Sequence, residues 1–305
     1  MEVGRGGARA RERTPGNDEH FTHAGFKKVA RYVSWGPVAG AAALRTLRQN
    51  THESFPLGCM KLALVGTGQM GQAVAKLAPR RGHEVVATFD ADRPLLDAEA
   101  PAVLQDAEVV IDFSLPDVAL DHIERYCRWQ QPAVVGTTGW YDALDTVEAW
   151  VEAHDAALLY AANFSMGVAL LRRALAGVLP LLEQLPDYDP YVHEMHHARK
   201  VDSPSGTAHV LARMIVDGLS RKDRIETETQ HQRIDPAALH VTSTRAGDVF
   251  GAHTVGFDSA FDHLTFTHRA KNRQGFAFGA LRAAEWLPGR RGLFTLDDVL
   301  ADWLA

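Results

Sequence analysis

The sequence predicts an α/β protein with two parts: a doubly wound parallel sheet and a second α+β domain built on a mostly antiparallel sheet. Three observations predict this fold class. From Lys61 onward, short apolar runs alternate with segments of helical period, which is typical of βαβ units. Gly66, Gly68 and Gly71 follow the first run as Gly-x-Gly-x-x-Gly. Beyond Phe164, three runs of alternating polarity are separated by short turns, which favours antiparallel pairing.

The predicted elements follow in order along the chain. Strands are predicted over KLALVG, HEVVATFD, AEVVIDFS, AVVGTTG and ALLYAANFS, and later over LHVTSTRAGD, VFGAHTVGFD and AFDHLTFTHRA. Helices are predicted over QMGQAVAKLAPR, PDVALDHIERYCRW, DALDTVEAWVEAH, MGVALLRRALAGVLPLLEQL, TAHVLARMIVDGLS and NRQGFAFGALRAAEWL. In these helical segments apolar residues recur at spacings of three and four.

Composition excludes several classes of partner. A chain of 305 residues with 46% hydrophobic and 23% charged residues indicates a globular protein with one or two cores. The formal net charge of -6 gives nucleic acid no basic surface to bind. No apolar run approaches the roughly 20 residues of a membrane span. Cys59 and Cys127 form no disulfide framework or metal motif, which favours a reducing compartment, the cytoplasm.

The glycine pattern predicts a Rossmann-type dinucleotide site. Glycines at these spacings allow a tight turn and close approach of the backbone to a pyrophosphate, which lies at a helix N-terminus. Asp90 ends the second strand run, about twenty positions after Gly71, where an acid accepts hydrogen bonds from a ribose. Asp90 favours NAD, because a carboxylate repels the extra phosphate of NADP. Arg93 weakens this preference, since it is close enough in sequence to meet that phosphate.

Two further segments follow strands of the same sheet. Residues 136–139 (GTTG) and 161–165 (AANFS) lie at the carboxyl ends of the fourth and fifth strands, where such sheets bind ligands. Their small and hydroxylated residues suit a flat nicotinamide ring against the backbone. Ordinary turn chemistry explains either segment equally well.

A cationic stretch precedes a predicted helix start. Ser205, Gly206 and Thr207 begin the helix, so their backbone N–H groups and hydroxyls are free to receive an anion. A simple helix cap is the commoner use of such residues. The adjacent positive groups favour an anion site, since a dianionic ligand would relieve their mutual repulsion; they are His196, His197, Arg199 and Lys200.

The same stretch carries candidates for proton transfer. If residues 190–197 form a strand, His196 and His197 face opposite sides, and one imidazole meets the reacting centre. Lys200 is suited to hold a carboxylate or to supply a proton. A zinc site of His193, His196 and His197 is the rival, but no Cys or acidic partner completes it and no metal is expected. Arg273, at the start of the last helix, is a candidate carboxylate clamp.

Several blocks in register resemble one family, the 4-hydroxy-tetrahydrodipicolinate (dihydrodipicolinate) reductases. They are VIDFSLP, GTTG, AANFSMGV, EMHHARKVDSPSGTA, RAGDVFGAHTV and THRAKNRQGFAFGA, and the resemblance runs from about Met60 to the C-terminus. It implies reduction of a cyclic dicarboxylate by NADH or NADPH, in diaminopimelate and lysine biosynthesis, by a homotetramer assembled through the second domain's sheet.

The resemblance also implies site residues. His196 is the expected proton-transfer residue and Lys200 the catalytic lysine. Substrate contacts are expected at His197, Ser205, Gly206 and Thr207, in addition to the candidate carboxylate clamp Arg273 proposed above from its position. Cofactor contacts are expected at Gly66, Thr67, Gly68, Gln69, Met70, Gly71, Asp90, Gly136, Thr137, Thr138, Ala161, Ala162, Asn163 and Phe164. The glycine loop is one residue shorter than in many members and has Gln69 in place of Arg, and Ala91 follows Asp90 where others have Arg, which weakens the case for NADPH.

Four segments are expected. Residues 1–59 are interpreted as a disordered extension or an upstream start-site artefact, with an organelle-targeting segment as the weaker alternative. Residues 60–163 form the dinucleotide-binding domain, and 164–272 the substrate-binding and oligomerisation domain. Residues 273–305 pack back on the first domain. Two other functions stay open: a related amino-acid or diaminopimelate dehydrogenase, and a dinucleotide-sensing protein without catalysis.

Overall fold

The computed structural model describes residues 58–95 and 101–304. The interpretation of residues 1–59 as an extension therefore falls almost wholly outside the described residues. The described chain forms two sheets, one of six strands and one of five, with helices packed against them. The predicted α/β class is confirmed.

The first sheet is wholly parallel, with the strand order β11-β5-β4-β3-β1-β2. Its strands are β1 (Lys61–Val65), β2 (Glu84–Phe89), β3 (Val109–Asp112), β4 (Ala133–Val135), β5 (Ala157–Tyr160) and β11 (Gly292–Phe294). All five strand runs predicted for this half are present. β3, β4 and β5 are buried along their whole length, as expected for a parallel sheet covered on both faces.

Helices cover both faces of this sheet. One face packs against α2 (Pro116–Arg128) and α3 (Leu144–Ala153), and the other against α1 (Gln69–Leu77), α6 (Gln274–Trp286) and α7 (Leu296–Asp302). α6 and α7 come from the C-terminal segment and share a core with the strands of this sheet. Neither β11 nor α7 is predicted from the sequence. β11 is only three residues long and carries no alternating pattern.

The second sheet is mixed, not mostly antiparallel as predicted. Its order is β10-β9-β6-β8-β7. Its strands are β6 (Asp189–His196), β7 (Arg224–Glu226), β8 (Ala238–Arg245), β9 (Ala252–Asp258) and β10 (His263–Arg269). β9 pairs antiparallel with β6 and β10, whereas β8 pairs parallel with β6 and β7. β8 therefore does not pair with β9, the next strand in the chain.

The connection between β6 and β8 explains this difference. The chain leaves β6, passes through α5 (Gly206–Gly218) and β7, and returns in the same direction, as a crossover connection requires. α5 and α4 (Met166–Glu183) pack on one face of the sheet around a leucine-rich core. Alternation along a strand predicts which residues face that core, but it does not predict the partner strand.

No helix within the described residues is long and apolar enough to cross a bilayer.

Candidate active site

The glycine loop connects β1 to α1 and leaves no room for side chains at two of its three glycines. Gly66 has a φ of +87°, and a Cβ there would lie 2.3 Å from the carbonyl oxygen of Phe113. A Cβ on Gly71 would lie 1.9 Å from the carbonyl oxygen of Gly66. Gly68 begins α1 without a side-chain cap, and nothing lies within 4 Å of where its Cβ would be. The first N–H groups of α1 therefore face an open space bordered by backbone.

Asp90 lies at the end of β2, beside this loop. Its Oδ2 accepts a hydrogen bond from the Thr67 hydroxyl at 2.8 Å, and its Oδ1 accepts from the backbone N–H of Asp92 at 3.0 Å. These bonds, that from Thr67 first, lower the pKa of Asp90, so the group is an anion at neutral pH. The Arg93 guanidinium lies over the Phe89 ring, 4.8 Å from its centroid.

A buried carboxylate fixes the loops after β3 and β4. Asp112 is 1% exposed, and it accepts hydrogen bonds from the Tyr126 hydroxyl at 2.7 Å and from the Ser114 N–H at 2.8 Å. The Thr137 hydroxyl donates to the Ser114 carbonyl at 3.1 Å. The Thr137 side chain is thus occupied within the protein, and only its backbone faces the sheet edge. Thr138 is exposed there.

The segment after β5 connects the two sheets. Asn163 donates to the Thr207 hydroxyl at 3.0 Å and accepts from the Ser165 N–H at 2.8 Å. Phe164 is 2% exposed and packs edge-on against Phe113, so its side chain belongs to the core. The structure therefore brings the cofactor candidates at 161–164 next to the start of α5, where the anion site is predicted.

Polar side chains replace apolar ones at one end of the second sheet. On its helix-covered face, buried Val192 lies opposite Val241 and Val255. Two residues further along β6, Glu194 lies opposite Ser243 and His253, and His253 lies opposite His268. We call this group of side chains the polar ladder. Its first row across the sheet consists of Glu194, His253 and His268, and its next row consists of His196 and Arg245.

Glu194 is the centre of the polar ladder. It is fully buried, and its Oε2 is hydrogen-bonded to His196 Nδ1. Its Oε1 accepts from Arg245 Nη2 at 2.7 Å and from the Ser205 N–H at 3.2 Å. Burial acts to raise the pKa of Glu194, but the hydrogen bonds from His196 and Arg245 outweigh burial and lower this pKa to about 2. The carboxylate is therefore charged at every physiological pH and holds the His196 ring in one orientation.

Two histidines of the ladder contact the caps of helices. His253 Nε2 lies 3.1 Å from the hydroxyl of Ser205, which caps α5. His268 Nε2 lies 3.3 Å from the hydroxyl of Ser165, which caps α4. Burial lowers the pKa of both imidazoles, that of His253 to about 4. Both rings are therefore neutral at pH 7, unlike the carboxylate beside them.

The segment after β6 carries the remaining candidates. His196 is buried on the helix-covered face, whereas His197 follows the strand, and its buried Nδ1 has no hydrogen-bond partner among the residues that the structure describes. Lys200 Nζ forms an ion pair with Asp202 at 2.6 Å. A Cβ on Gly206 would meet nothing within 4 Å, so the start of α5 is open.

Arg199 and Arg273 lie at the edge of this region. Arg199 pairs with Asp248 at 2.7 Å, and both side chains are largely exposed. Arg273 is exposed and lies 5.7 Å from the ring centroid of Phe250. Gly251, which follows Phe250, lies so close to His196 that a Cβ on it would be 2.9 Å from His196 Nε2. Arg273 thus contacts the loop that borders His196, and within the described residues it makes no hydrogen bond to the ladder.

The rival zinc trio does not assemble. His193 lies on the opposite face of β6, where its Nδ1 bonds to the Thr242 hydroxyl at 2.9 Å. Another group of possible ligands, Glu194, His196 and His253, has atoms within 4.8 Å of one another. Both oxygens of Glu194 are already engaged as hydrogen-bond acceptors in this group.

Sequence reasoning missed Glu194, Arg245, His253 and His268. All four stand inside the quoted family blocks, but they come from four strands that are separated by loops or helices. Only strand pairing and register bring them together, and neither can be obtained from one sequence. The signal that was available is the charged or ionisable residue at a core-facing position of each alternating run.

Two family models match the chain in succession. Residues 60–164 match the N-terminus of dihydrodipicolinate reductase, and residues 167–300 match its C-terminus. The chain belongs to the dihydrodipicolinate reductase family. The family resemblance inferred from the sequence blocks is confirmed.

Relatives of known name agree with this assignment. The 4-hydroxy-tetrahydrodipicolinate reductase of Christiangramia forsetii is 39% identical over 248 residues, covering 80% of this chain and 98% of that protein. The Staphylococcus aureus enzyme of the same name is 34% identical over 253 residues, covering 79% of this chain and 100% of that protein. A dipicolinate-bound dihydrodipicolinate reductase from Paenisporosarcina has the same fold, with a TM-score of 0.65 at 20% identity, covering 79% of this chain and 99% of that one.

As a member of this family, the protein is an oxidoreductase that reduces 4-hydroxy-tetrahydrodipicolinate to tetrahydrodipicolinate, with loss of water, in diaminopimelate and lysine biosynthesis. The two alternative functions are thereby set aside. Its cofactor is a nicotinamide dinucleotide. The glycine loop fits this group, because Gly66 and Gly71 leave a cradle that a Cβ would fill and α1 presents uncapped N–H groups to a pyrophosphate.

Proposed function

We propose that His196 and Lys200 supply the proton that completes this reduction. The observation that carries the proposal is the bond between His196 Nδ1 and the buried carboxylate of Glu194. This bond keeps Nδ1–H on the Glu194 carboxylate and fixes the ring, so that in the imidazolium form Nε2 carries the proton that is transferred to the substrate. Lys200, held by Asp202, is the second donor on the same loop. As hydride enters the ring, a proton from either group neutralises the developing negative charge.

The start of α5 is the proposed substrate site. The backbone N–H groups of Gly206 and Thr207 receive one carboxylate, since they lie at the positive end of the helix and the space above Gly206 is open. Ser205 borders this site, and its own N–H is bound to Glu194. His197, with its buried unpaired Nδ1, is the proposed contact for the substrate beside it. Arg273 is exposed and is free to approach the other carboxylate. The dipicolinate bound to a reductase of the same fold supports a site for two carboxylates.

The proposed cofactor contacts run along the carboxyl edge of the parallel sheet. They are Gly66, Thr67, Gly68, Gln69, Met70, Gly71, Asp90, Gly136, Thr137, Thr138, Ala161, Ala162, Asn163 and Phe164, with Thr137 and Phe164 contributing backbone only. The cofactor supplies the hydride when it is bound. NADH is the preferred form in this proposal, because the ionised Asp90 opposes a 2′-phosphate and Arg93 is stacked on Phe89.

A homotetramer in the cytoplasm is the proposed state of the enzyme. The face of the second sheet opposite α4 and α5 carries half-buried side chains, among them Tyr191, His193 and Met195. Within the described chain no helix packs on this face, which suits contact with a second sheet. Light scattering after size-exclusion chromatography checks the assembly, and a monomer at micromolar concentration would contradict it.

Replacing each donor tests the proposed chemistry. In His196→Gln and Lys200→Ala we expect kcat to fall by about 100-fold or more, because a positioned proton donor is worth roughly that factor. The substrate is generated in situ from pyruvate and aspartate semialdehyde, and loss of NADH absorbance is followed. His231→Gln, in an exposed loop, is the matched control and keeps wild-type kcat. A His196→Gln enzyme with unchanged kcat would remove this residue from the mechanism.

A further inference from the structure

Arg245 donates hydrogen bonds to two segments outside its own strand. It lies on β8 opposite His196 in the parallel register. Its Nη2 donates to Glu194 Oε1 at 2.7 Å and to the Asp202 carbonyl at 2.6 Å, while its Nη1 donates to the Thr244 carbonyl at 2.9 Å. The side chain is only 18% exposed. The guanidinium is thus held by its own strand and by two other segments.

Each of the two residues that Arg245 contacts, Glu194 and Asp202, binds one of the proposed proton donors. On one side, Glu194 receives Arg245 on Oε1 and contacts His196 Nδ1 with Oε2. On the other side, Asp202 receives Arg245 on its carbonyl and binds Lys200 Nζ with its carboxylate at 2.6 Å. The Arg245 guanidinium therefore fixes Glu194, which orients His196. It also fixes the backbone of Asp202, which binds Lys200.

We propose that Arg245 is a positioning residue that sets His196 and Lys200 relative to each other for proton transfer. The proposal rests on the proposed roles of these two residues. A buried carboxylate needs a partner on each oxygen, and a planar guanidinium with several N–H donors binds two acceptors in fixed directions. With Oε1 taken by Arg245, the carboxylate plane is fixed and Oε2 is presented to His196.

The geometry also explains why a lysine would be insufficient. An ammonium neutralises Glu194, but it is a compact point charge on a flexible stem and does not share the fork geometry of a guanidinium. Charge neutralisation and positioning are therefore separable by substitution. Arg245→Lys retains the charge and removes the fork, whereas Arg245→Met removes both and leaves a buried carboxylate without its cation.

The experiment compares steady-state kinetics and NADH affinity in three variants. We expect Arg245→Lys to fold and to lose about tenfold or more in kcat, as is typical when a residue that orients a catalytic group is removed. Arg245→Met should lose more. The dissociation constant for NADH, from quenching of tryptophan fluorescence, should stay at the wild-type value in both. Arg224→Met, which removes an exposed arginine with two carboxylate partners from the same sheet, should keep wild-type kcat.

A double variant separates positioning from a general structural effect. If Arg245 acts through His196, adding Arg245→Lys to His196→Gln should lower kcat far less than it does in the wild-type background, since residues acting as one unit are non-additive. A full tenfold loss in that background overturns the proposal, and so does an Arg245→Lys enzyme with wild-type kcat. If His196→Gln alone keeps wild-type kcat, the proposed function fails, whatever Arg245 does.

Discussion

The two sheets of this enzyme build their sites in different ways. In the parallel sheet the cofactor cradle is made by Gly66, Gly68 and Gly71, which lie within six consecutive residues, and by the ends of neighbouring strands. In the mixed sheet the polar ladder takes one residue or two from each of four strands, and Glu194 and Arg245 are 51 positions apart. The first site depends on local backbone conformation, whereas the second depends on strand register.

This difference decides what each site tolerates. The glycine loop has no side chain to lose, so its binding of the cofactor is impaired when a substitution adds a side-chain atom. A ladder of buried charges fails when one partner is removed, because the remaining group is left buried and unpaired. Substitutions that add a methyl group should therefore damage the first sheet's site, and substitutions that remove a charge or a proton acceptor should damage the second.

The largest effect is expected for Gly71→Ala. The added Cβ would lie 1.9 Å from the Gly66 carbonyl oxygen, so α1 must move away from the loop that it completes. We expect NADH affinity to fall by about 100-fold or more and stability to fall by about 1 to 3 kcal/mol, as in overpacked cores. Titration of NADH by fluorescence and thermal unfolding measure the two effects.

Gly177→Ala is the matched control for this change. Gly177 lies exposed in α4, and a Cβ there would meet nothing within 4 Å. Alanine should stabilise this helix by roughly 0.5 to 1 kcal/mol and leave NADH affinity unchanged. If Gly71→Ala binds NADH as the wild type does, the cradle is not where the cofactor binds.

The same contrast explains how much could be predicted from the sequence. The parallel sheet, its helices and the sequence positions of the glycines and Asp90 follow from local patterns: apolar runs, helical spacing and turn residues. For the second sheet, alternation predicts β8, β9 and β10 as strands, but their order depends on the crossover through α5, which one sequence does not specify. Arg245 and His253 were missed for that reason, whereas His196, Lys200 and Ser205 could be proposed because they lie close together in one short segment.

Lowering the pH is expected to reduce the free energy of unfolding by an intermediate amount, through the buried histidines of the polar ladder. The pKa of His253 is lowered to about 4 by burial first and by His196 next, against about 6.5 in the unfolded chain. Between these values the unfolded state binds more protons, so stability is fully present above pH 6.5 and is lost as pH falls towards 4. Between pH 7 and 5 the loss attributable to His253 is on the order of 2 kcal/mol.

Denaturant unfolding of the wild type and of His253→Gln between pH 7 and 5 separates this contribution from the others. His268 and His209, whose pKa values are also lowered by burial, add to the same slope. Glu194, with a pKa of about 2, loses its contribution only below about pH 4.5. The slope should become flatter in His253→Gln and remain unchanged in the exposed His231→Gln. An equal slope in His253→Gln and wild type would show that this imidazole is not buried neutral.

The smallest effect is expected at Asp90, which is half-buried beside the glycine loop. In the wild type, NADH should bind more tightly than NADPH, because Asp90 is ionised and opposes a 2′-phosphate. Asp90→Asn removes the charge with little change in shape, and we expect the preference for NADH to fall by a few-fold. Binding titrations with both nucleotides give the ratio, and Asp121→Asn, exposed on α2, is the control.

The salt dependence distinguishes repulsion from lost hydrogen bonds. Repulsion between exposed charges weakens as salt is added, so the wild-type preference should decline towards that of Asp90→Asn between low and high ionic strength. A preference that is independent of salt would mean that hydrogen bonding to the ribose, not charge, sets the choice. A wild-type preference for NADPH would instead assign the 2′-phosphate to Arg93, which would have to leave the Phe89 ring to reach it.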